Sequence, residues 1–205
     1  MKLFEALHSF EAPWHTVTYA NWNKYPNPFS SHVISCDTLS RRVDPESQLL
    51  ITERLLCCRQ PVPSILARLG LGFQEQAYFH EISPLNLETR EFTAQTVNLT
   101  MRSLLNVSET CVLTVDPNSP SNTLFKQQAQ VSAMGVFASL GRLIEEVAVN
   151  RFSANAAKGR EALASVTSKL WSEALELEQK MSSSLDQIKS NFVEGIGLNA
   201  EPPAF

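Results

Sequence analysis

Glycine is sparse, 7 residues in 205, and none of it falls in a pattern that serves phosphate binding or nucleophile chemistry. There is no Gly-x-Ser-x-Gly and no glycine-rich nucleotide loop, so the backbone cradles those reactions need are missing. Cysteine is scarce as well. Cys36, Cys57, Cys58 and Cys111 contain no Cys-x-x-Cys and no paired spacing, which argues against a zinc site or a disulfide framework. On a strand, Cys57 and Cys58 point to opposite faces and cannot form one metal edge together; small buried hydrophobes are the better reading. No metal and no other cofactor is expected. A basic excess is also missing: 17 Lys and Arg face 21 Asp and Glu, a formal net charge of −4. Nucleic-acid binding, which requires a concentrated basic surface, is therefore disfavoured. Any anionic ligand must be met by a few local cations, acting within about one Debye length, roughly 8 Å at physiological salt. Finally, no apolar run approaches the ~18 residues that span a bilayer. Glu5 and Glu11 do not fit a signal or Arg-rich transit segment, so composition alone points to a soluble, cytoplasmic protein.

What is present is ordinary globular material, 43% hydrophobic and 19% charged, enough for one domain with a long tail. Residues 2–10 alternate loosely. Ala12-Pro13 opens a helix from about 13 to 25, which Tyr25-Pro26-Asn27-Pro28 ends, because proline disfavours a helical residue before it and lacks the N–H. From Ser31 to Leu39, period two places His32, Ile34, Cys36 and Thr38 on one face and Val33, Ser35, Asp37 and Leu39 on the other. Strands are also read at 72–83, 89–100, 104–115 and 122–133, joined by Ser83-Pro84-Leu85-Asn86 and Asp116-Pro117-Asn118-Ser119-Pro120 as hairpin connections. In the second of these, Phe92, Ala94, Thr96 and Asn98 share a face. Small polar residues thus interrupt what should be a buried side; a sheet curved round a cavity explains them, and so do edge strands with exposed faces. From about Ala138 to residue 190 the pattern is helical, with Leu163, Val166, Leu170, Ala174, Leu177, Met181, Leu185, Ile188 and Phe192 forming one apolar stripe.

Enzyme signatures are weak. His80-Glu81-Ile82-Ser83-Pro84 begins like His-Glu-x-x-His, but the second histidine is missing and Pro84 breaks the helix such a motif needs. The sequons at Asn98 and Asn106 fall in strands.

Four segments stand in a recognisable order: Asn21-Trp22-Asn23-Lys24-Tyr25-Pro26-Asn27-Pro28 with His32-Val33-Ile34-Ser35-Cys36-Asp37; Thr52-Glu53-Arg54-Leu55; Thr123-Leu124-Phe125-Lys126-Gln127-Gln128-Ala129-Gln130; and Arg151-Phe152-Ser153-Ala154-Asn155-Ala156-Ala157-Lys158-Gly159. Together they resemble the PRELI/Slowmo/Ups family of mitochondrial phospholipid-transfer proteins, over about residues 1–165. Met1-Lys2-Leu3-Phe4, Val17 to Trp22 and Asn98-Leu99-Thr100-Met101 resemble the Slowmo branch more than the PRELI branch.

The resemblance implies an α+β fold: a curved antiparallel sheet of about seven strands, wrapped on a long C-terminal helix and enclosing a lipid cavity with a short lid. Residues 1–170 would form the transfer domain and 171–205 a helix extension and tail. It further implies a non-enzymatic carrier in the intermembrane space, entered without a cleaved presequence. The ligand would be an anionic phospholipid, phosphatidylserine for this branch and phosphatidic acid for the other. A small twin-Cys-x9-Cys helical-hairpin protein would be the heterodimer partner, and membrane contact would be transient. An interaction protein that docks through the long helix without transferring lipid is the rival class.

A carrier must shelter two acyl chains, whose exposure at ~0.8 kcal/mol per methylene would cost on the order of 20 kcal/mol or more. It must also anchor a phosphate. Arg151, Asn155 and Lys158 share i, i+4, i+7 spacing, and Lys24 stands beside the Tyr-Pro turn. In the family, residues matching Lys24, Asn155 and Lys158 line the pocket, with those matching His32 and Arg151 implicated similarly. By spacing alone, Arg151 and Lys158 equally fit a solvated helix face, and His32 a core histidine. The apolar segment 61–72 resembles the family's lid, with Val62, Ile65, Leu66, Leu69 and Leu71 as membrane contacts; an ordinary buried loop is the other reading. Val147 departs from the family's usual tryptophan, and Cys57-Cys58 replaces a stretch that is often basic.

Overall fold

The computed structural model describes residues 1–60, 67, 68, 70, 75–135 and 138–197. Seven strands run as β1 (Lys2–Phe10), β2 (Val33–Val43), β3 (Leu50–Arg59), β4 (Gln76–Asn86), β5 (Glu91–Asn98), β6 (Leu105–Asp116) and β7 (Ser119–Ala133). They form one curved antiparallel sheet in the order β1-β7-β6-β5-β4-β3-β2, a meander from β2 to β7 with β1 added at the β7 edge. Helix α1 (Trp14–Trp22) follows β1, a single 3-10 turn covers Pro28–Ser30, and the long helix α2 spans Ala138–Gly197. The chain divides into two compact units, Met1–Thr167 and Ser168–Phe205. The sheet, α1 and the first half of α2 belong to the first.

Alternation along each central strand assigns its inner face. Leu56 and Cys58 on β3, Ala77 and Leu85 on β4, Phe92 and Ala94 on β5, Leu113 on β6, and Phe125, Ala129 and Val131 on β7 are all buried. Ile144, Ala156, Ala162 and Leu163 of α2 are buried likewise, and Phe152 meets Phe4 edge-to-face at 5.2 Å. Helix α1 is fixed by Trp14, whose indole N–H donates to the Leu113 carbonyl at 3.0 Å, and by Trp22, edge-on to Phe92 at 5.9 Å. The connection after α1 is tied to α2. Asn27 donates to the Ala162 carbonyl and the Ser165 hydroxyl, and the Ser30 hydroxyl donates to the Lys158 carbonyl.

Several boundaries differ from the sequence reading. Helix α1 stops at Trp22 rather than 25, because the Asn23 N–H turns back to Ala20 and its side-chain amide donates to the Tyr19 carbonyl. Strand β2 does not begin with a clean alternation. A bulge between Val33 and Ser35 skips Ile34, so Val33 and Cys36 both reach the inner cluster with Leu56 and Cys58, while Ile34 is exposed. Pro84 lies inside β4, opposite Ile51, and the β4–β5 pairing is interrupted at Ser83 and Pro84, where proline has no N–H to give. The turn itself comes later: the Asn86 side chain accepts from the Glu88 and Thr89 N–H groups. Between β6 and β7 the two-residue Pro117-Asn118 turn stands where proline and asparagine indicated it.

The second unit is the helical stretch from Ser168 onward. Every side chain described from Trp171 to Phe192 is exposed, including Leu177, Met181, Leu185, Ile188 and Phe192 of the apolar stripe. Among the described residues no helix is long and apolar enough to cross a membrane.

Candidate functional site

A cavity of about 140 Å³ lies between the inner face of the sheet and α2, wholly within the first unit. The sheet contributes Glu81, Thr96 and Glu109, cross-strand partners in one transverse row that continues outside the lining to Arg54, the partner of Glu81 on β3. One pleat further along β6, Cys111 stands beside Ala94 and Gln127. The helix contributes Phe152, Asn155, Ala156, Gly159, Arg160 and Leu163, one face at i, i+3, i+4, i+7, i+8 and i+11. Asn21, Lys24, Tyr25 and His32 close the remaining side. The wall is therefore mixed: Phe79, Phe125, Phe152, Leu56 and Leu163 stand beside carboxylates, a lysine, an arginine and side-chain amides.

Arg54 and Glu81 neutralise one another. The Arg54 Nε donates to Glu81 Oε1 at 2.8 Å, and Nη2 stands 2.6 Å from the same oxygen as an ion-pair contact poorly directed for a second hydrogen bond. Arg54 Nη1 reaches the carbonyls of Asn21 and Trp22 at 3.3 and 3.4 Å, placing its charge at the C-terminal end of α1, where the helix dipole favours a cation. Burial opposes the guanidinium charge, but Glu81 more than restores it, and Arg54 is held above its ordinary value.

Lys24 has a different setting. Its Nζ donates to the Asn21 side-chain oxygen at 3.2 Å and lies 5.0 Å from the centre of the Tyr25 ring, with no carboxylate in ion-pair range among the described residues. Desolvation works against its charge, and Tyr25, Cys111 and Glu81 outweigh that, so the ammonium is held above its usual range. Burial followed by the charges of Lys158 and Lys24 pushes His32 below its usual range, and its buried Nδ1 has no partner among the described residues.

Across the cavity, Gln127 bridges Arg160 and Glu109, accepting from Arg160 Nη1 at 3.2 Å and donating to Glu109 Oε1. The Cys111 thiol donates to the same carboxylate oxygen at 3.2 Å. Burial, then Glu109, holds Cys111 well above an ordinary thiol, and burial with the neighbouring thiols pushes Cys58 up to about 12. Neither is a thiolate at neutral pH. All four cysteines are free, and no group of metal-ligating side chains is found among the described residues.

Of the residues singled out from the sequence, Lys24, His32 and Asn155 line the cavity. Arg151 and Lys158 are not part of the lining; Lys158 is exposed and Arg151 half-buried. At about 100° per residue they stand roughly a third of a turn from the helix face centred on Ala156 and Gly159. Val62, Ile65, Leu66, Leu69 and Leu71, read as a lid, lie outside the described residues. Arg160, Glu109, Gln127, Glu81 and Asn21 are cavity residues that motif reading missed. The available signal was their phase: Glu109 and Cys111, like Gln127 and Ala129, alternate in step with buried neighbours.

Comparison with known proteins is consistent at both levels. A family model described as PRELI-like family matches residues 15–173. The chain is 36% identical over 198 residues to "Protein UPS2, mitochondrial" of Saccharomyces cerevisiae, covering 92% of this chain and 86% of that one. It is 38% identical over 170 residues to "UPS-like protein C36.10" of Schizosaccharomyces pombe, covering 83% and 91%. The "Protein slowmo homolog" of Dictyostelium discoideum is 31% identical over 191 residues, covering 92% and 82%. Among solved structures, TTHA0849 from Thermus thermophilus superposes with a TM-score of 0.55 at 11% identity, over 82% of this chain and 99% of that one. A START superfamily protein from Mycobacterium smegmatis gives 0.50 at 14% identity, over 82% and 98%. These structural likenesses establish the fold, a sheet gripping a long helix round a cavity. The chain belongs to the PRELI-like family.

Proposed function

We propose that this protein is a non-enzymatic phospholipid carrier of the mitochondrial intermembrane space. In this reading it extracts an anionic phospholipid, phosphatidylserine in first place, and moves it between the outer and inner mitochondrial membranes. The observation that carries the reading is the cavity itself: a half-buried lysine, without a carboxylate partner among the described residues, faces aromatic and aliphatic walls closed by α2. Lys24 supplies a compact charge for a phosphate, and Asn155 and His32 supply further polar contacts. At an effective dielectric near 20, one such pair at 4 Å contributes roughly 4 kcal/mol before desolvation.

At about 140 Å³ the cavity is smaller than the ~300–1,000 Å³ of typical ligand pockets. It suits a headgroup and the first carbons of the chains, so loading requires the cleft between sheet and helix to widen. The suppressed thiols at Cys58 and Cys111 support a carrier over a cysteine hydrolase, since the thiolate is the nucleophile. Membership of the PRELI-like family, and a relative named as mitochondrial, support the location. A small twin-Cys-x9-Cys helical hairpin is the proposed heterodimer partner. The exposed row Leu177, Met181, Leu185, Ile188 and Phe192 offers a surface suited to a helix.

The test is fluorescence-detected transfer between liposomes by the full chain co-expressed with such a partner. Transfer of intact phosphatidylserine that falls at least about tenfold in Lys24→Ala, the scale of one lost charge-assisted contact, and less in Lys158→Ala supports the carrier and its anchor. A folded, partner-bound protein that moves neither phosphatidylserine nor phosphatidic acid would sink it.

A further inference from the structure

The cavity contains a carboxylate that no charge among the described residues neutralises. Glu81 is matched by Arg54, but Glu109 has no cation within ion-pair distance among the described residues. Both of its hydrogen bonds, from Gln127 Nε2 and from the Cys111 thiol, land on Oε1. Oε2 has no partner among the described residues. Lys24 lines the same cavity and is equally free of a carboxylate there, so an unmatched cation and an unmatched anion share one space without contacting each other. A carboxylate in a half-buried site repels phosphate and costs desolvation, so for a ligand carrying negative charge alone Glu109 only weakens binding.

We infer that Glu109 is a specificity-determining residue that accepts the primary ammonium of an aminophospholipid headgroup while Lys24 and Arg160 face its negative groups. The inference rests on the carrier reading above. It follows from charge matching. A serine headgroup brings phosphate, carboxylate and ammonium; the cavity offers Lys24, Arg160 and Glu109, one opposite charge for each. Phosphatidic acid and phosphatidylglycerol bring no ammonium, and for them Glu109 stays unpaired and repulsive. Phosphatidylethanolamine shares the ammonium without the second negative charge. The geometry thus recognises phosphate plus ammonium, and the headgroup carboxylate separates the two aminophospholipids.

The experiment measures transfer of phosphatidylserine, phosphatidylethanolamine, phosphatidic acid and phosphatidylglycerol, each doped into phosphatidylcholine vesicles, by the full chain with its co-expressed partner. Glu109→Gln keeps the shape and can still accept from Gln127. It is expected to lower transfer of both amino lipids about tenfold, the scale of a hydrogen bond to a charged group, and to leave phosphatidic acid and phosphatidylglycerol unchanged or faster. Glu109→Asp should retain the amino preference in part. Gln127→Met, which removes the neutral bridge but not the charge, should preserve it; loss of preference there would assign the effect to positioning of Gln127 and Arg160 and overturn the proposal. An equal fall for all four lipids in Glu109→Gln would also overturn it, as would an unchanged ratio. A wild-type protein that carries lipids without favouring amino headgroups removes this inference and leaves the carrier standing, whereas one that carries none removes both.

Discussion

Arg54→Met is the substitution whose cost follows most directly from the coordinates. The side chain is 3% exposed and its partner Glu81 9%, and the two are cross-strand neighbours with N–O distances of 2.6 and 2.8 Å. Removing the guanidinium leaves a carboxylate with no counter-charge inside the sheet, which costs about 3–5 kcal/mol. The two contacts to the Asn21 and Trp22 carbonyls, at 3.3 and 3.4 Å, are long, and their loss adds little. At about 2–4 °C per kcal/mol for a domain of this size, the midpoint should fall by roughly 6–20 °C. The assay is thermal and urea unfolding, with Arg54→Met/Glu81→Met as the second arm. The double variant, having no buried charge, should recover to within about 1–2 kcal/mol of wild type. A single variant that loses less than about 1 kcal/mol, or a double variant as unstable as the single, would refute the reasoning.

Three further outcomes are expected. His32 is held below its ordinary value by burial, Lys158 and Lys24, so it is neutral in the empty protein at neutral pH. A bound phosphate offsets both lysines and favours the imidazolium, so anionic-lipid affinity should rise as pH falls from about 7.5 to 5.5. Stability of the empty protein should move the other way: the folded pKa lies below the unfolded one, so stability is lost as pH falls below the ordinary histidine value. Vesicle binding and unfolding across that range check both signs, and His32→Asn should flatten both curves. Gly135 has φ +64°, and an added Cβ would stand 3.2 Å from the Ser103 carbonyl, so Gly135→Ala should cost about 1–2 kcal/mol in chemical unfolding. Glu109→Met/Gln127→Met should raise stability by about 1–2 kcal/mol while lowering transfer of the amino lipids and sparing phosphatidic acid; a loss of stability would make the pair structural.

The architecture was legible because period and punctuation agreed. Asp116-Pro117-Asn118-Ser119-Pro120 marked a hairpin connection, which the structure makes with the two residues Pro117 and Asn118, and the register Phe92, Ala94, Thr96, Asn98 runs along the inner face as alternation required. What failed did so locally. The bulge at Ile34 reversed the phase of β2, and a bulge leaves no trace in a pattern of period two. Pro84 carried a turn signal, but its missing N–H fell at an interruption of the β4–β5 ladder, where a strand tolerates it. On α2 the motif drew attention to Arg151 and Lys158 because they are charged. The cavity face is defined by the smaller residues Ala156 and Gly159, and it brings in Arg160 instead. Glu109 and Gln127 were passed over for a related reason. Polar side chains in step with Ala129 and Leu113 read as a solvated face unless the sheet is known to curve over a helix.

The polar residues of the inner face are what separates this sheet from a structural core. Arg54 and Glu81 cost nothing unusual once paired, and a fold could keep them to fasten β3 to β4 and to the end of α1. Lys24, Glu109 and Arg160 have no such account. Each lines a cavity shared with Phe125, Phe152 and Leu163, and none is matched by an opposite charge in contact among the described residues. Positions that break the local rules of burial without a structural return mark a binding site. Under the proposed function these charges are met by a ligand that carries the opposite pattern. Two negative groups and one positive, set against aliphatic and aromatic walls, is the pattern that a serine headgroup would bring to this cavity.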